Sequence, residues 1–270
     1  HGGITQHIGA YQVTAENNVA WSDVFQCSNC QSEIVFWDAA ANEITGEIKN
    51  EFACSHCGTI HTKRKIERIW ITKLDAVSGT TIKEIKRVPV LINYTYNSKR
   101  RLKKPDNKDI ELLEKIENEK FKFWVPNNEI PRGDKTGEPL RIGINQIHQF
   151  YFTRALHVLS KYNNKASTAI LKALLTVVAF RINKRYGLTY QSGVWGAGGG
   201  PTNGTLYIPS LIKELNMIHM LKQAQKKFIK SSDTAIKSSP ISTQSAGSID
   251  LQDNSIDYIF TINLQPQYIY

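Results

Sequence analysis

The pattern of apolar and polar positions predicts strands in the N-terminal part of the chain. Residues 1–20 are polar and carry few periodic apolar positions, so we expect a lead-in segment there. Apolar runs at 21–25 and 34–37 are rich in aromatic and β-branched residues, which is typical of strands. Two longer runs of the same kind, 65–74 and 81–96, flank a glycine turn and predict a hairpin stacked on the earlier strands.

The remainder of the chain shows helical periodicity. A first helix is predicted to begin after Asp106. Three more helices are predicted over 145–161, 167–186 and 213–230, and the second of these, the most apolar stretch of the chain, is expected to be a core helix. The segments around them are predicted to be a glycine-rich loop over 193–204, a short strand over 205–209 and a flexible, serine-rich linker over 231–247.

The four cysteines of the chain form two C-x-x-C pairs, Cys27 with Cys30 and Cys54 with Cys57. Each pair can wrap a tight knuckle that directs two thiolates to one point, and two knuckles complete a tetrahedral shell of four sulfurs. Zn²⁺ suits that shell because it binds thiolate strongly and has no d-electron geometric preference. We therefore predict a closed, structural zinc ribbon with all four cysteines as ligands.

Other uses of these residues fit the sequence less well. A disulfide framework is typical of short, cysteine-dense secreted chains, and a thioredoxin-like motif needs one C-x-x-C before a helix in a βαβ unit. His56 and His61 could serve as ligands, but four thiolates leave them as bystanders. His148 and His157 have no carboxylate or cysteine at ligand spacing and are expected to be packing or surface residues. Gly58 is expected to adopt a positive φ in the second knuckle.

The charge balance adds a candidate binding surface. A formal net charge of +10 raises the prior for a polyanionic partner without identifying one. The densest run of cations is Lys99, Arg100, Arg101, Lys103 and Lys104. These side chains could grip phosphates through a salt-sensitive, sequence-independent contact. The alternative is a solvated loop, which is what most charge runs are.

Reduced, metal-type cysteines favour a cytoplasmic protein. The N-terminal residues lack the charged and apolar regions of a secretory signal, and Lys172 and Arg181 interrupt the most apolar stretch, so no membrane partner is expected. The chain begins at His1 rather than at a methionine, which leads us to expect a fragment of a longer protein.

Residues 253–261, DNSIDYIFT, resemble the strand that approaches the catalytic motif of DNA amino-methyltransferases. In that family a D-x-S-x-D-x-I-x-T strand runs into Asp-Pro-Pro-Tyr or Asp-Pro-Pro-Phe. The chain is also similar to a zinc-ribbon subgroup of the family, the adenine-specific DNA methylases, in segments 21–27, 33–38, 88–94 and 204–210. The resemblance covers most of residues 20–261 and is specific as a set.

The resemblance implies transfer of a methyl group from S-adenosylmethionine to an exocyclic base amine in double-stranded DNA, with adenine N6 favoured by the naming of the relatives. The target base would leave the helical stack and enter a pocket. In the family, the acidic residue and the first proline carbonyl of the motif hold the amine while the aromatic residue stacks on the base, and this positioning supplies much of the rate. The implied setting is a DNA modification or restriction-modification system.

The sequence departs from the family at the catalytic motif. After Thr261 it continues INLQPQ, and Asn263 and Pro266 have the wrong spacing to replace Asp-Pro-Pro-aromatic. The glycine-rich turn that cradles the cofactor in relatives is not recognisable in the chain. We therefore assign no catalytic residue and no S-adenosylmethionine-binding residue. We expect a frameshift or truncation just past Thr261, and a missing remainder of the methyltransferase domain as partner.

The predicted fold class is α+β: a zinc ribbon with a β-hairpin, then a helical region, ending in one strand of an incomplete Rossmann-like methyltransferase sheet. The predicted divisions are a lead-in at 1–20, ribbon and hairpin at 21–98, a mainly helical region at 99–230, a linker at 231–247 and the start of the catalytic-domain strand at 248–270. Three functions remain open: part of a DNA methyltransferase, a zinc-ribbon nucleic-acid-binding module without catalysis, and an interaction scaffold.

Overall fold

The structure, a computed structural model, describes residues 13–232, and among them the side chains of 17–229. This part of the chain has a mixed α+β fold in which a curled antiparallel sheet carries short hairpins and helices. The α+β class is therefore confirmed at this level. The predicted linker at 231–247, apart from its first two residues, and the predicted Rossmann-like strand at 248–270 lie outside the described residues.

The elements are as follows. The strands are β1 (Val13–Gln26), β2 (Glu33–Val35), β3 (Glu51–Ala53), β4 (Ile60–Thr62), β5 (Glu67–Arg68), β6 (Trp70–Leu74), β7 (Thr81–Ile85), β8 (Arg87–Tyr96), β9 (Lys99–Lys103), β10 (Tyr190–Gln191), β11 (Val194–Trp195) and β12 (Leu211–Leu215). The helices are α1 (Phe36–Ala40), α2 (Asn107–Glu117), α3 (Gly137–Arg141), α4 (Thr153–Lys165), α5 (Ala169–Ala179) and α6 (Met217–Ser232), with a 3-10 helix at Ile147–Phe150.

The sheet is built around β1. Its order is β12-β1-β8-β9, and β2 and β5 pair with the C-terminal part of β1. Three register shifts between β1 and β8 mark bulges or irregularities, which bend a strand and increase its twist. The lead-in predicted for 1–20 is wrong from Val13 onward. The polar residues of this segment did not indicate a strand. One of them, Asn17, hydrogen-bonds with Asn93 and Thr95 on the neighbouring strand.

The predicted hairpin is present but shorter than expected. β6 and β7 pair along their full length around Gly79, whose φ is +71°. The chain then passes through Lys86, and β8 pairs with β1 instead of extending the hairpin. The run 81–96 is therefore two strands that belong to different sheets, because its second half finds a longer partner in β1.

Two predicted helices differ from the observed ones through tertiary contacts. The helix predicted over 145–161 is divided into the 3-10 helix and α4 by Phe152, which is extended and whose ring stacks on Trp21 at a centroid distance of 4.6 Å. The helix predicted over 167–186 is reduced to α5. This helix was predicted to lie in the core, but only one of its faces does: Val178 is buried, whereas Val177 is 55% exposed.

β12 occupies residues where the last helix was predicted to begin. It pairs with β1, and α6 begins only at Met217. Lys213 and Glu214 are 2% and 1% exposed, so charges that indicated a helix surface lie inside the fold. The short strand predicted over 205–209 does not form. Among the described residues, no helix combines the length and the apolar character needed to cross a membrane.

Candidate metal centre

Two turns with the same backbone geometry carry the four cysteines. One connects β1 to β2 and the other connects β3 to β4, and both strand pairs are antiparallel. In each turn the first cysteine N–H donates to the carbonyl five residues later at 2.9 Å, and its carbonyl accepts from the residue four later at 2.9–3.0 Å. The residue after the second cysteine has a positive φ, +61° at Gln31 and +74° at Gly58. The prediction for Gly58 is confirmed.

The sulfur atoms of Cys27, Cys30, Cys54 and Cys57 all lie within 4.8 Å of one another. Cys27 Sγ is 3.6 Å from Cys57 Sγ, and Cys30 Sγ is 3.7 Å from Cys54 Sγ, so both contacts join the two turns. A tetrahedral ion with Zn–S bonds of about 2.3 Å separates its ligands by roughly 3.8 Å. All four cysteines are free thiols rather than disulfides. The cluster could therefore hold a metal ion such as zinc.

Hydroxyl groups next to the cluster favour the thiolate form of Cys54 and Cys57. Ser32 Oγ lies 2.9 Å from Cys30 Sγ and 3.3 Å from Cys54 Sγ, and Thr59 Oγ1 lies 3.2 Å from Cys57 Sγ. Hydrogen bonds from the Thr59 hydroxyl and backbone N–H lower the pKa of Cys57 to about 5, and the Ser32 hydroxyl lowers the pKa of Cys54. These contacts assist metal binding because the thiolate is the form that coordinates. Cys27 is the opposite case: backbone hydrogen bonds favour its thiolate, but burial and the neighbouring Cys30 and Cys57 thiols raise its pKa to about 11.

His61 touches the centre although it is outside the ligand cluster. Its Nε2 is 3.3 Å from Cys27 Sγ and its ring is buried, whereas His56 is exposed. A ring N–H that donates to a ligand sulfur fixes that ligand and lowers its charge density. Sequence reasoning treated the two histidines alike. No spacing in the sequence marks His61; it is the register partner of Phe52 in β3, and this pairing places both on the inner face.

Replacing His61 by alanine is expected to lower the zinc affinity about tenfold, because partners of metal ligands typically contribute 10- to 100-fold. The measurement is competition for Zn²⁺ with a chromophoric chelator. The matched control is H56A, which removes an exposed histidine from the second turn. Equal affinities of H61A and H56A would show that His61 does not support the site.

An aromatic cluster connects the metal centre to the sheet. Phe36 makes edge-to-face contacts with Phe25 at 5.6 Å and with Phe52 at 5.4 Å. The same buried cluster contains two of the cysteines and, from the far side, Trp195. The cysteine turns therefore share their core with the sheet, so a change at the cluster is expected to affect both.

The five predicted DNA-contacting cations lie on and just after β9, which is a strand at the sheet edge rather than a loop. The structure divides them. Lys103 Nζ is 2.6 Å from Asp109, and Lys104 Nζ is 3.2 Å from Glu43, so these two serve contacts within the protein. The other three, Lys99, Arg100 and Arg101, are exposed, and no carboxylate of the described residues pairs with them.

Sequence reasoning missed a buried ion cluster close to the ribbon. Asp23 is 1% exposed, and its two carboxylate oxygens lie 2.7 Å from Arg68 Nε and 2.9 Å from Arg87 Nε. Arg68 also donates to Ser210 Oγ at 3.3 Å. The cluster ties β1, β5, β8 and the approach to β12 together. A single acidic residue in an apolar run gave no signal of this role.

The glycine-rich loop is fastened to a buried lysine. Lys213 donates to the carbonyl oxygens of Gly196, at 3.3 Å, and Gly198, and its Nζ lies 4.3 Å from the ring centroid of Tyr186. Burial, together with the nearby charge of Arg100, lowers the pKa of Lys213 to about 8. The glycine-rich loop predicted over 193–204 is thus held against β12 at its glycines.

His148 is a packing residue, as predicted, but it also has a charged partner. Its Nε2 lies 2.9 Å from Asp75 Oδ2, and both side chains are buried. Burial opposes ionisation of Asp75, yet hydrogen bonds from His148 and Ser78 hold the pKa of this carboxyl well below its usual range. The contact joins the β6–β7 hairpin to the 3-10 helix. His157 stacks on Phe121 at a centroid distance of 4.1 Å.

Comparison with known proteins identifies no relative of this chain: no family model, no curated protein and no solved structure matches it. Its function is therefore inferred from the residues and their arrangement.

Proposed function

We propose that this chain is the zinc-bearing, DNA-contacting part of an S-adenosylmethionine-dependent DNA methyltransferase of a modification or restriction-modification system. The acceptor is an exocyclic base amine, with adenine N6 favoured. The methyl-transfer part of the proposal comes from the resemblance at residues 253–261, which lie outside the described residues. The DNA-contacting part comes from the basic edge strand.

The observation that carries the proposal is the meeting of the four other resembling segments around one strand. The first segment, 21–27, lies in and just after β1. The second, 33–38, forms β2 and the start of α1, and the third, 88–94, lies in β8. Both β2 and β8 pair with β1, and α1 packs on it. The fourth segment ends at Ser210, whose carbonyl accepts from the Asp23 N–H of β1 at 2.8 Å. Segments far apart in sequence thus form one structural unit, as expected if they are inherited together.

The metal centre contributes structure rather than chemistry in this proposal. Four thiolate ligands leave no open coordination position, which is the arrangement of structural zinc sites. The loop of the ribbon reaches the basic edge, because Glu43 pairs with Lys104 and its carbonyl accepts from Trp195 Nε1 at 3.0 Å. This loop therefore contacts the chain directly after the strand that presents Lys99, Arg100 and Arg101, through an ion pair whose side chains are 68% and 48% exposed.

Replacing Lys99, Arg100 and Arg101 by alanine is expected to weaken binding to duplex DNA and to flatten its salt dependence. Each cation that neutralises a phosphate contributes about 0.9 to the slope of log Kobs against log[salt]. If all three contact phosphates, the slope falls by about 2 to 3. The measurement is fluorescence anisotropy of a labelled duplex, titrated with the zinc-loaded chain at several salt concentrations.

A second variant with the same change of charge separates contact from net charge. Lys161, Lys165 and Lys172 are exposed on α4 and α5, and their replacement by alanine is expected to change the slope much less. Equal slopes for both triple variants would contradict the assignment of DNA contact to β9. Absence of any salt-sensitive duplex binding by the wild-type chain would overturn the DNA-contacting role itself.

The cofactor part of the proposal has its own test. Isothermal titration of the chain with S-adenosylmethionine is expected to give little or no heat, since no cofactor-binding residue is recognisable in it. Tight binding would place the cofactor pocket within residues 1–270. When bound in the complete enzyme, S-adenosylmethionine supplies the electrophilic methyl group, and this chain's contribution is to hold the DNA in position.

A second candidate is a nucleic-acid-binding module without catalysis. The observation that favours it is that the loop after α1 reaches the end of the basic strand, where Glu43 pairs with Lys104. Both candidates require duplex binding. They differ in their effect on methyl transfer. When the chain is combined with a domain that supplies the catalytic motif, DNA methylation is expected if the chain is part of a methyltransferase and not if it is a binding module.

A further inference from the structure

The outer end of the β8–β9 hairpin presents aromatic rings and cations on one face. Tyr94 is the register partner of Arg101, and Tyr96 is the register partner of Lys99. Paired residues of an antiparallel ladder point to the same side with Cβ atoms about 4.5–5.5 Å apart. The four residues therefore form a single surface, called here the tyrosine–cation face.

The backbone under this face is fixed rather than loose. The two strands are joined by Asn97 and Ser98, whose φ values of +46° and +60° are those of a tight two-residue hairpin turn. β8 also pairs with β1 along most of its length, so the hairpin belongs to the main sheet. Such a surface loses little conformational entropy when a ligand binds.

The cations of this face have no carboxylate partner among the side chains of residues 17–229. Lys99 and Arg101 are exposed and pair with no carboxylate of that part of the chain, whereas Lys103, two residues further along the same face, pairs with Asp109 of α2. Arg100 points to the opposite side of the strand, and its positive charge is felt at Lys213. Among the described side chains, Asp106 and Asp109 pair with Lys103 at the inner end of the strand, and no carboxylate pairs with Lys99 or Arg101 at its outer end.

Phosphate contact explains the cations but not the tyrosines. In an intact duplex the π-faces of the bases are covered by stacking, so an aromatic ring on a flat sheet surface gains little. An unpaired strand exposes those faces, and surfaces that bind it combine a cationic track with aromatic rings on which bases stack. Alternate tyrosines beside cations are this combination.

We propose that the tyrosine–cation face binds unpaired nucleic acid, with a base stacked on Tyr94 and the adjoining phosphates held by Arg101 and Lys99. The inference rests on the proposed DNA-contacting role and deepens it, because it assigns an unstacked base to Tyr94 in addition to the phosphates assigned to Lys99 and Arg101. Arg100, on the other side of the strand, remains available to a flanking phosphate.

The test compares single-stranded and duplex forms of one labelled oligonucleotide by anisotropy with the zinc-loaded chain. Replacing Tyr94 by leucine keeps an apolar side chain of similar bulk but removes the π-face. Stacking on one aromatic side chain is worth enough that Y94L is expected to bind the single strand about tenfold more weakly. Binding to the duplex is expected to change less than about twofold, since it depends on cations.

Two further variants make the result specific. Y94F keeps the ring and is expected to bind the single strand as the wild type does. Y207A removes an exposed tyrosine that lies near Arg68 but also near Glu138 and Asp23, and it is expected to change neither affinity. Unchanged zinc content and thermal midpoint in Y94L show that the fold is intact.

The outcomes separate this inference from the proposed function. Selective loss of single-strand binding in Y94L, with rescue in Y94F, supports the inference. Normal duplex binding with no effect of Y94L on the single strand, or an equal effect on both forms, overturns the inference alone. Failure of the wild-type chain to bind either form overturns the proposed DNA contact and this inference with it.

Discussion

Removal of the metal from the reduced protein is expected to unfold the ribbon and to destabilise the sheet beside it. Structural zinc binding is worth about 10 kcal/mol or more in zinc-finger peptides, and that binding energy is folding energy. The amount is comparable with the whole stability of a typical domain. The ribbon cannot replace it, because the sulfurs it gathers would be left as four close thiols over a small aromatic cluster.

Two buried tryptophans can report the removal of the metal by their fluorescence. Trp37 and Trp195 are 1% and 2% exposed and meet edge to face at a centroid distance of 4.8 Å, one from the ribbon and one from the glycine-rich region. Chelation is expected to shift tryptophan fluorescence to the red and to lower the thermal midpoint, and the variant Cys54→Ala is expected to do the same without chelator. Co²⁺ substituted for zinc should give the spectrum of tetrahedral thiolate coordination.

Two serines provide the matched controls for that experiment. Ser28 and Ser55 occupy equivalent positions inside the two turns, directly after the first cysteine of each. S28A and S55A are expected to keep stoichiometric zinc and the wild-type midpoint. A purified, reduced protein that contains no stoichiometric zinc and keeps its fold in strong chelator would contradict the metal-centred account.

The four-cysteine cluster was predictable because its determinants are local. Each C-x-x-C turn is set by six consecutive residues, and only the meeting of the turns requires the rest of the fold. His61 escaped attention because its contact with Cys27 depends on the pairing of β3 with β4, not on the spacing of residues in sequence. The cysteine cluster could therefore be predicted from the sequence, whereas the contact of His61 with it could not.

The basic run shows the opposite case. Its five cations look equivalent in sequence, yet Lys103 is held by the first turn of α2 and Lys104 by the ribbon loop. Which cations remain available is decided by where Asp109 and Glu43 arrive in three dimensions. The sequence indicated phosphate contact but not the pairing of Arg101 with Tyr94. The high charge of the run did not indicate a strand, so its strand partner could not be predicted.

Buried charges caused the largest error in the fold. Lys213 and Glu214 gave the β12 region the polar pattern of a helix surface, but Lys213 is satisfied by glycine carbonyls and Glu214 by Trp21 and Arg154. A polar residue inside a fold is tolerated when it is hydrogen-bonded or paired. Hydrophobic periodicity fails at such positions, since it assumes that charges face water.

Replacing Asp23 by alanine is expected to lower the free energy of unfolding by about 3–5 kcal/mol, the usual effect of removing one partner of a buried ion pair. The carboxylate is nearly inaccessible, and so is Arg87, whose side chain is 7% exposed. Without Asp23 that guanidinium is left uncompensated in a site where water reaches it poorly. The measurement is urea unfolding of the zinc-loaded protein at constant metal concentration.

Lys86 and Glu33 provide the control, because they form a close ion pair of 2.6 Å in the same region but on the surface. E33A is expected to cost less than about 1 kcal/mol, since exposed pairs contribute little. Replacing Asp23 together with its most buried partner, as D23L with R87M, is expected to recover much of the loss, because the charge that remains, on Arg68, is 30% exposed and can be solvated. If D23A costs no more than E33A, the ion cluster does not hold the strands together, and the ribbon depends on its metal and aromatic core alone.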